Sequence, residues 1–373
     1  MLKITKNETR QPVYDITVEN VHNFYANGAL VHNCVEITLP TKPVRNVFNE
    51  EKQTVEFEGL IQLCTLAAVN LGNINIESND EFEKYMDLLV RLLNELLDYQ
   101  DYMVPQARRA TMSYRPLGIG VVNYAYALAK NGMKYGDQNS LDLTHRVFEK
   151  IYYYGLKASM ELAKERGTKL PGINETIYAD GELLIDNYCK SVDSLTEQQL
   201  LCDWESLRAD VKQYGVFNST ISALMPSESS SVVSNATNGI EPIRSLLTKK
   251  ASKKASFVVV APESSKLKNA YQYLWDMTPK DFEGYIKCAA VMQKFVCQSI
   301  SSNLSYNPRH FPNNKISIEA VMNHTFLAAR LGIKTRYYAN TQGEVTSVTD
   351  VPEPESDPAQ VGESADDCDS CKI

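Results

Sequence analysis

Apolar residues recur every three or four positions in NDEFEKYMDLLVRLLNELLDYQDYM, with acidic side chains at its start, which predicts an amphipathic helix beginning near Asp80. The same spacing predicts helices over residues 144–166, closed by Gly167, and over about 203–213, 280–301 and 316–331. Between them, NSTISALMPS, ASFVVVAPE and TRYYAN read as β-rich. This alternation predicts an α/β architecture, with helices packed on a sheet. Ahead of these, VYDITV alternates apolar and polar residues, and Asn27-Gly28 marks a turn before ALVHN, so short strands joined by tight turns are expected. Beyond about Asn340 the pattern stops. TQGEVTSVTDVPEPESDPAQVGESADDCDSCKI is acidic, carries prolines and has almost no large apolar group, so a flexible tail is expected.

With 373 residues, 43% of them hydrophobic, the chain can bury a sizeable core. A net charge of -8 opposes sequence-independent attachment to nucleic acid, which needs clustered Lys and Arg. No apolar run approaches the roughly 20 residues that cross a bilayer, and MLKITKNETR lacks the apolar segment of a secretory signal, so a cytoplasmic protein is expected. In that setting the 8 cysteines are thiols rather than a disulfide framework. One CxxC, Cys368 to Cys371, and scattered histidines (His22, His32, His145, His310, His324) outline no sequence-local metal site.

Candidate chemistry first concentrates in the stretch ending His32-Asn33-Cys34. An Asn carboxamide that attacks its own carbonyl cuts the backbone if its geometry is enforced and the leaving amine receives a proton, which His32 can donate. Cys34 supplies a thiol able to accept an acyl group, and His22 can fold back beside the same bond. An ordinary β-hairpin carrying an incidental His-Asn pair is the competing reading. The whole of VYDITVENVHNFYANGALVHNC, however, resembles the C-terminal splicing motifs of inteins. That resemblance implies that Asn33 cyclises, His32 and His22 assist, Asp15 supports the block, and Cys34 is the first retained residue. Met1 stands too close to the junction for an N-terminal splicing block, so residues 1–33 are expected to be the C-terminal half of a split intein acting in trans.

A second chemistry overlaps the first. In an extended segment, residues i and i+2 share a face, so Cys34 and Glu36 would present a thiol and a carboxylate together. Cys64 lies in the apolar LCTLAAVNLGNIN, Tyr337 and Tyr338 lie in KTRYYANT, and LMPSESSS ends a strand-like run in Pro and small hydroxyl residues, as at a helix entry and natural phosphate seat. Taken singly, these read as a buried cysteine, a packed tyrosine pair and a simple N-cap. Their order and context resemble the large subunit of class I ribonucleotide reductase. The resemblance runs from Cys34 to Ile373 and is strongest in CVEITLPTKP, LCTLAAVNLG, LLDYQDY, RPLGIGVVNYAYALAKNG, SALMPSESSSVVSNATNGIEP, KTRYYANT and the terminal CKI.

The reductase resemblance implies a role for each matching residue. Cys34 would carry a transient thiyl radical that takes hydrogen from the substrate ribose, and Glu36 would be the base for a ribose hydroxyl. Cys64 would be one member of the reducing dithiol, and Tyr337 and Tyr338 would relay the radical from a partner subunit. Cys368 and Cys371 would re-reduce the site, and Pro226, Ser227, Glu228, Ser229 and Ser230 would form the diphosphate loop. Two stacked adjacent tyrosines require a departure from strand geometry, because neighbours on a regular strand face opposite ways. Cys189, Cys202, Cys288 and Cys297 match no motif and read as packing.

The fold so implied is the C-terminal half of the ten-stranded α/β barrel over residues 34–340, with a small β-rich intein piece in front (1–33) and an acidic redox tail behind (341–373). Implied partners are an N-terminal reductase half carrying the other intein fragment, a radical-generating small subunit that holds the metal, thioredoxin or glutaredoxin, a ribonucleoside diphosphate, and a second copy once spliced. No cofactor is expected on this chain itself. The competing functions are a non-catalytic scaffold that docks on an intact reductase, and a thiol-disulfide protein using only the tail dithiol.

Overall fold

The computed structural model describes residues 23–26, 29–32, 35–49, 54–63, 65–251 and 256–343. Asp15, His22, Asn33, Cys34, Cys64, Cys368 and Cys371, together with VYDITV and most of the acidic tail, lie outside the described residues. The chain divides into two units, one formed by Met1–Cys34 with Pro352–Ile373 and the other by Val35–Val351. In the first, β1 (Asn23–Ala26) pairs antiparallel with β2 (Ala29–His32), and Ala26 stands opposite Ala29 across the Asn27-Gly28 turn signal.

The larger unit opens with an antiparallel pair, β3 (Lys42–Asn49) and β4 (Thr54–Leu60). Then β5 (Leu66–Asn70) leads to α1 (Asn79–Tyr99), α2 (Pro105–Tyr114), β6 (Gly118–Val122), α3 (Tyr124–Lys130) and α4 (Gln138–Arg166). After α5 (Trp204–Tyr214) and the short α6 (Glu228–Val233) come the hairpin β7 (Leu247–Ala251) and β8 (Ser256–Val260), and α7 (Ser264–Leu267). The described unit closes with α8 (Pro279–Gln293), β9 (Leu304–Tyr306), α9 (Ile318–Arg330) and β10 (Ala339–Thr341).

Strand β5 runs parallel to β6, and parallel bridges from Ile119 to Ser222 and from Leu224 to Ile300 carry the ladder on across single residues. β9 and β10 are also parallel. Parallel strands need long crossovers, which the helices supply, and these pack over the sheet. Helix α1 starts where the Ser78 hydroxyl accepts the Glu81 amide. Its residues Phe82, Met86, Val90, Leu93 and Leu97 form one buried stripe against α4, each contributing roughly 1.5–3 kcal/mol through burial. Helix α4 ends at Gly167, whose φ of +61° suits a left-handed cap.

Two expectations are corrected. The helix predicted over 280–301 stops at Gln293, because the Gln293 side-chain amide donates to the carbonyls of Val296 and Gln298 and turns the chain. Beyond it, the amides of Ser299 and Ser301 go to Glu36 and Leu224, so sheet-type bonding overrides a helical apolar period. Cys297 likewise does more than pack. Its sulfur accepts the backbone amides of Ile221 and Ser222 at 3.0 and 3.1 Å, fastening this turn to the neighbouring strand.

His145 on α4 is 1% exposed, packs edge-on against Phe295, and has no hydrogen-bond partner at either ring nitrogen among the described residues. Burial, reinforced by the Lys294 charge, pushes it down to about 4. A folded value below the unfolded one of about 6.5 makes protonation favour unfolding. Stability is therefore complete above about pH 6.5 and falls by up to about 1.4 kcal/mol per pH unit toward pH 4. Urea titrations across that window should show the slope for the native chain and a slope shallower by about one proton for His145→Phe. Equal slopes would exclude a neutral buried His145.

Candidate active site

Residues 299–304 form the rail on which the described site residues are mounted. On one side, the Ser299 amide donates to the Glu36 main-chain oxygen at 2.9 Å, and the Ser301 hydroxyl donates to the Glu36 carboxylate oxygen Oε2. Glu36 is 1% exposed, so its charge depends on such donors. Val35 and Glu36 form a bend, and residues 37–41 are irregular, because the segment is held by the rail and not by strand pairing. Thr38 extends the attachment, its amide donating to Gln298 Oε1 at 3.3 Å.

On the other side, the rail holds the tyrosine pair. The Tyr337 amide donates to Ser302 O at 2.9 Å, the Leu304 amide to Tyr338 O at 2.7 Å, and the Tyr338 amide to Asn303 Oδ1 at 3.0 Å. The two rings lie 3.8 Å apart between centroids at 39°. They sit just ahead of β10, where the chain is not yet a regular strand, and this permits neighbouring rings to meet. Asn303 also donates to Glu241 Oε1 at 2.7 Å. Burial pushes the Glu241 carboxyl above its ordinary value, while the Asn303 bond and the Arg244 charge pull it back.

The serine loop reaches the same place through the ladder. Leu224 and Ser299/Ser301 exchange backbone bonds at 3.0 and 2.9 Å, and the chain then leaves Leu224 through Met225 into Pro226–Ser230. This is the C-terminal end of the parallel strands, where α/β folds place ligands. Ser227 donates its amide to Asn238 Oδ1 at 2.7 Å, and the Asn238 side-chain nitrogen donates to Glu228 Oε1 at 2.5 Å, so one asparagine braces the loop. The buried Ser227 hydroxyl has no protein partner among the described residues. Ser229 and Ser230 lie in the first turn of α6, with exposed side chains.

Glu36, Tyr337, Tyr338 and Pro226–Ser230 are thus brought together, whereas the cysteines named with them fall outside the described residues. Ser301, Asn303, Asn238 and Glu241 are site residues that motif reading passed over. Asn238 and Glu241 belong to NATNGIEP, which stood in a quoted motif with no role given to either residue, while SISSN showed only a polar run after a helix-like period. Among the described residues, no group of three or more His, Cys, Asp or Glu is placed to hold a metal ion, and no helix is long and apolar enough to cross a membrane.

The model of the ribonucleotide reductase barrel domain matches residues 17–339, beginning inside the stretch assigned above to the intein piece. The ribonucleoside-diphosphate reductase subunit alpha of Haemophilus influenzae is 50% identical over 83% of this chain and 39% of its own length. Subunit alpha of reductase 1 from Escherichia coli is 47% identical over 74% of this chain and 35% of its own. The subunit alpha of Enterobacteria phage T4 is 38% identical over 100% of this chain and 47% of its own. The chain therefore spans less than half the length of these relatives. Because the family match takes in most of the sequence and the parallel ladder that carries the site, the chain belongs to the family of ribonucleotide reductase barrel domains.

Proposed function

We propose that this chain is the C-terminal part of the catalytic subunit of a ribonucleoside-diphosphate reductase, made as a precursor whose residues 1–33 are removed by splicing in trans. One observation carries the enzymatic reading: a single rail, residues 299–304, holds a buried carboxylate on one side and a close, tilted tyrosine pair on the other, beside a serine loop at the end of a parallel ladder. A base, an electron relay and an anion seat at one place suit radical chemistry on a phosphorylated sugar better than a scaffold.

In this reading Cys34, two residues ahead of Glu36, takes hydrogen from the ribose, and Glu36 takes the proton of a ribose hydroxyl. Phenols have accessible one-electron chemistry, so Tyr337 and Tyr338 pass the radical inward from a small subunit that holds the metal. Reduction consumes two electrons, so a dithiol must become a disulfide at each turnover. Cys64 contributes one thiol of that pair. Cys368 and Cys371 return the electrons from thioredoxin or glutaredoxin through thiol-disulfide exchange. The Ser227 hydroxyl, buried and without a partner among the described residues, is suited to donate to a diphosphate oxygen. Once the acyl group of the preceding reductase half has passed to the Cys34 thiol, Asn33 cyclisation, assisted by His32 and His22 with Asp15 in support, would break the Asn33–Cys34 bond and release the front segment, and a shift of the acyl group from sulfur to the freed Cys34 amine would complete the new peptide bond.

Mixing the chain with a precursor that carries the first part of the reductase and an intein N-terminal half tests both steps. Mass spectrometry should show a product that lacks residues 1–33 and continues into Cys34, and this product, with a small subunit and a dithiol reductant, should reduce ribonucleoside diphosphates. A mature polypeptide that retains Met1 would exclude splicing, including for residues 17–33, which the family match also covers. A correctly joined product without turnover would exclude the enzymatic reading.

A further inference from the structure

We propose that Ser301 is a positioning residue for Glu36, orienting its carboxylate and holding it in the charged form that a base requires. This rests on the reading of Glu36 as the base, and deepens it by assigning a residue that acts through Glu36 and not on the substrate.

The geometry sets Ser301 apart from a surface hydroxyl that happens to lie near an acid. Its Oγ donates to Glu36 Oε2, and both residues are buried, at 7% and 1% exposure. A hydroxyl donating to a carboxylate is a charge-assisted bond, roughly twice as strong as a neutral one, and is stronger still where water is excluded. Its origin is also rigid. The Ser301 amide is fixed to Leu224 O at 2.9 Å, and Leu224 returns a bond to Ser299 O at 3.0 Å, so the sheet sets the position of Oγ. Ser299, two residues earlier, holds the main chain of Glu36, so one short segment grips both the backbone and the carboxylate of the same residue. Thr335 braces that segment through the Ser299 hydroxyl at 2.5 Å and the Ile300 carbonyl at 3.1 Å. The next residue along, Ser302, accepts the Tyr337 amide. Ser301 therefore sits where the part of the rail that holds the base meets the part that holds the tyrosines.

A donor to the ionised form lowers the pH at which a carboxyl titrates, and removing it raises that pH. The test uses the full chain labelled with ¹³C at glutamate carboxyls, with the Glu36 resonance identified as the one lost in Glu36→Gln. Ser301→Ala should move the Glu36 midpoint upward by about one pH unit, the shift expected for losing one bond to a charged group. Ser301→Thr, which keeps the hydroxyl, should leave the midpoint within a few tenths of the native value. The Glu241 resonance, on a separate branch of the site, reports that the fold is intact. If the alanine chain fails to fold, Ser301→Cys preserves the volume with a weaker donor and should show the same upward direction. An unmoved midpoint in the folded variant, or a threonine chain that behaves like alanine, overturns the proposal. The titration needs no turnover, so the hydrogen bond can fail in an active enzyme and can pass in a chain that never reduces a nucleotide. In the joined enzyme, the acid limb of the kcat profile should move up in Ser301→Ala by the same amount, and an unmoved limb would also overturn the proposal.

Discussion

Glu36→Gln, carried into the joined enzyme, is expected to lower kcat by about 10²- to 10⁴-fold, the range over which a positioned general base contributes. Glutamine keeps the shape, and its carbonyl oxygen can still accept the Ser301 hydroxyl, while Ser299 continues to hold the main chain. What disappears is the capacity to take a proton. KM should therefore move little, because Asn238 braces the serine loop that would seat the diphosphate and the substitution leaves that brace in place. Steady-state kinetics of native and variant enzyme check this directly. Activity within about tenfold of native would remove Glu36 from the role of base, and a loss confined to KM would make it a binding group.

The second large effect concerns stability. Gly284→Ala is expected to destabilise the larger unit by about 3 kcal/mol, the upper part of the range for overpacking a tight core. Helix α8 crosses the turn at Tyr135-Gly136 backbone against backbone. A methyl at position 284 would meet Tyr135 O at 2.3 Å and Gly136 Cα at 3.1 Å. Backbone cannot rotate away as a flexible side chain can, so the helix or the turn must move as a body. Gly136 has a φ of +86°, a conformation that side chains other than glycine rarely adopt, so the turn has little freedom to yield. The control is Gly132→Ala, where φ is +63° but no atom lies within 4 Å of the added methyl, leaving only the smaller conformational cost. Denaturant midpoints of the two variants should differ clearly, with Gly284→Ala the lower. Equal midpoints would show that the crossing is looser than its distances indicate.

The helices show where local pattern suffices. Helix α1 begins at Asn79, next to the predicted start near Asp80, and α4 ends at Gly167, because a serine cap, an acidic first turn and a glycine stop are written into adjacent residues. The predicted segments at 203–213 and 316–331 correspond to Trp204–Tyr214 and Ile318–Arg330 for the same reason. Reading failed where long-range bonds compete. Residues 294–301 continue a helical apolar period, yet the amides of Cys297, Gln298, Ser299 and Ser301 are taken by Ser222, Glu36 and Leu224, which lie far away in sequence. Helices α2 and α3 were not anticipated. Each carries a start signal, Pro105 at the first position of one and Asn123 ahead of the other, but Val104 offers no side-chain cap and the Asn123 side chain is taken by Asn70 and the Thr237 amide, so neither helix rests on a local cap bond.

The site divides in the same way. Motif order alone pointed to Glu36, the 226–230 loop and Tyr337-Tyr338 as members of one chemistry, and the periodicity alone pointed to alternating helices and strands. Tertiary structure decided that the first and last of these hang from opposite sides of residues 299–304, and that Ser301, Asn303 and Glu241 belong with them. The physical reason is that a cap, a turn or an amphipathic stripe is settled by residues within a few positions of one another, so a linear reading can find it. A buried carboxylate takes its donor from whichever strand the ladder brings beside it, here 265 residues away, and no local pattern encodes that neighbour.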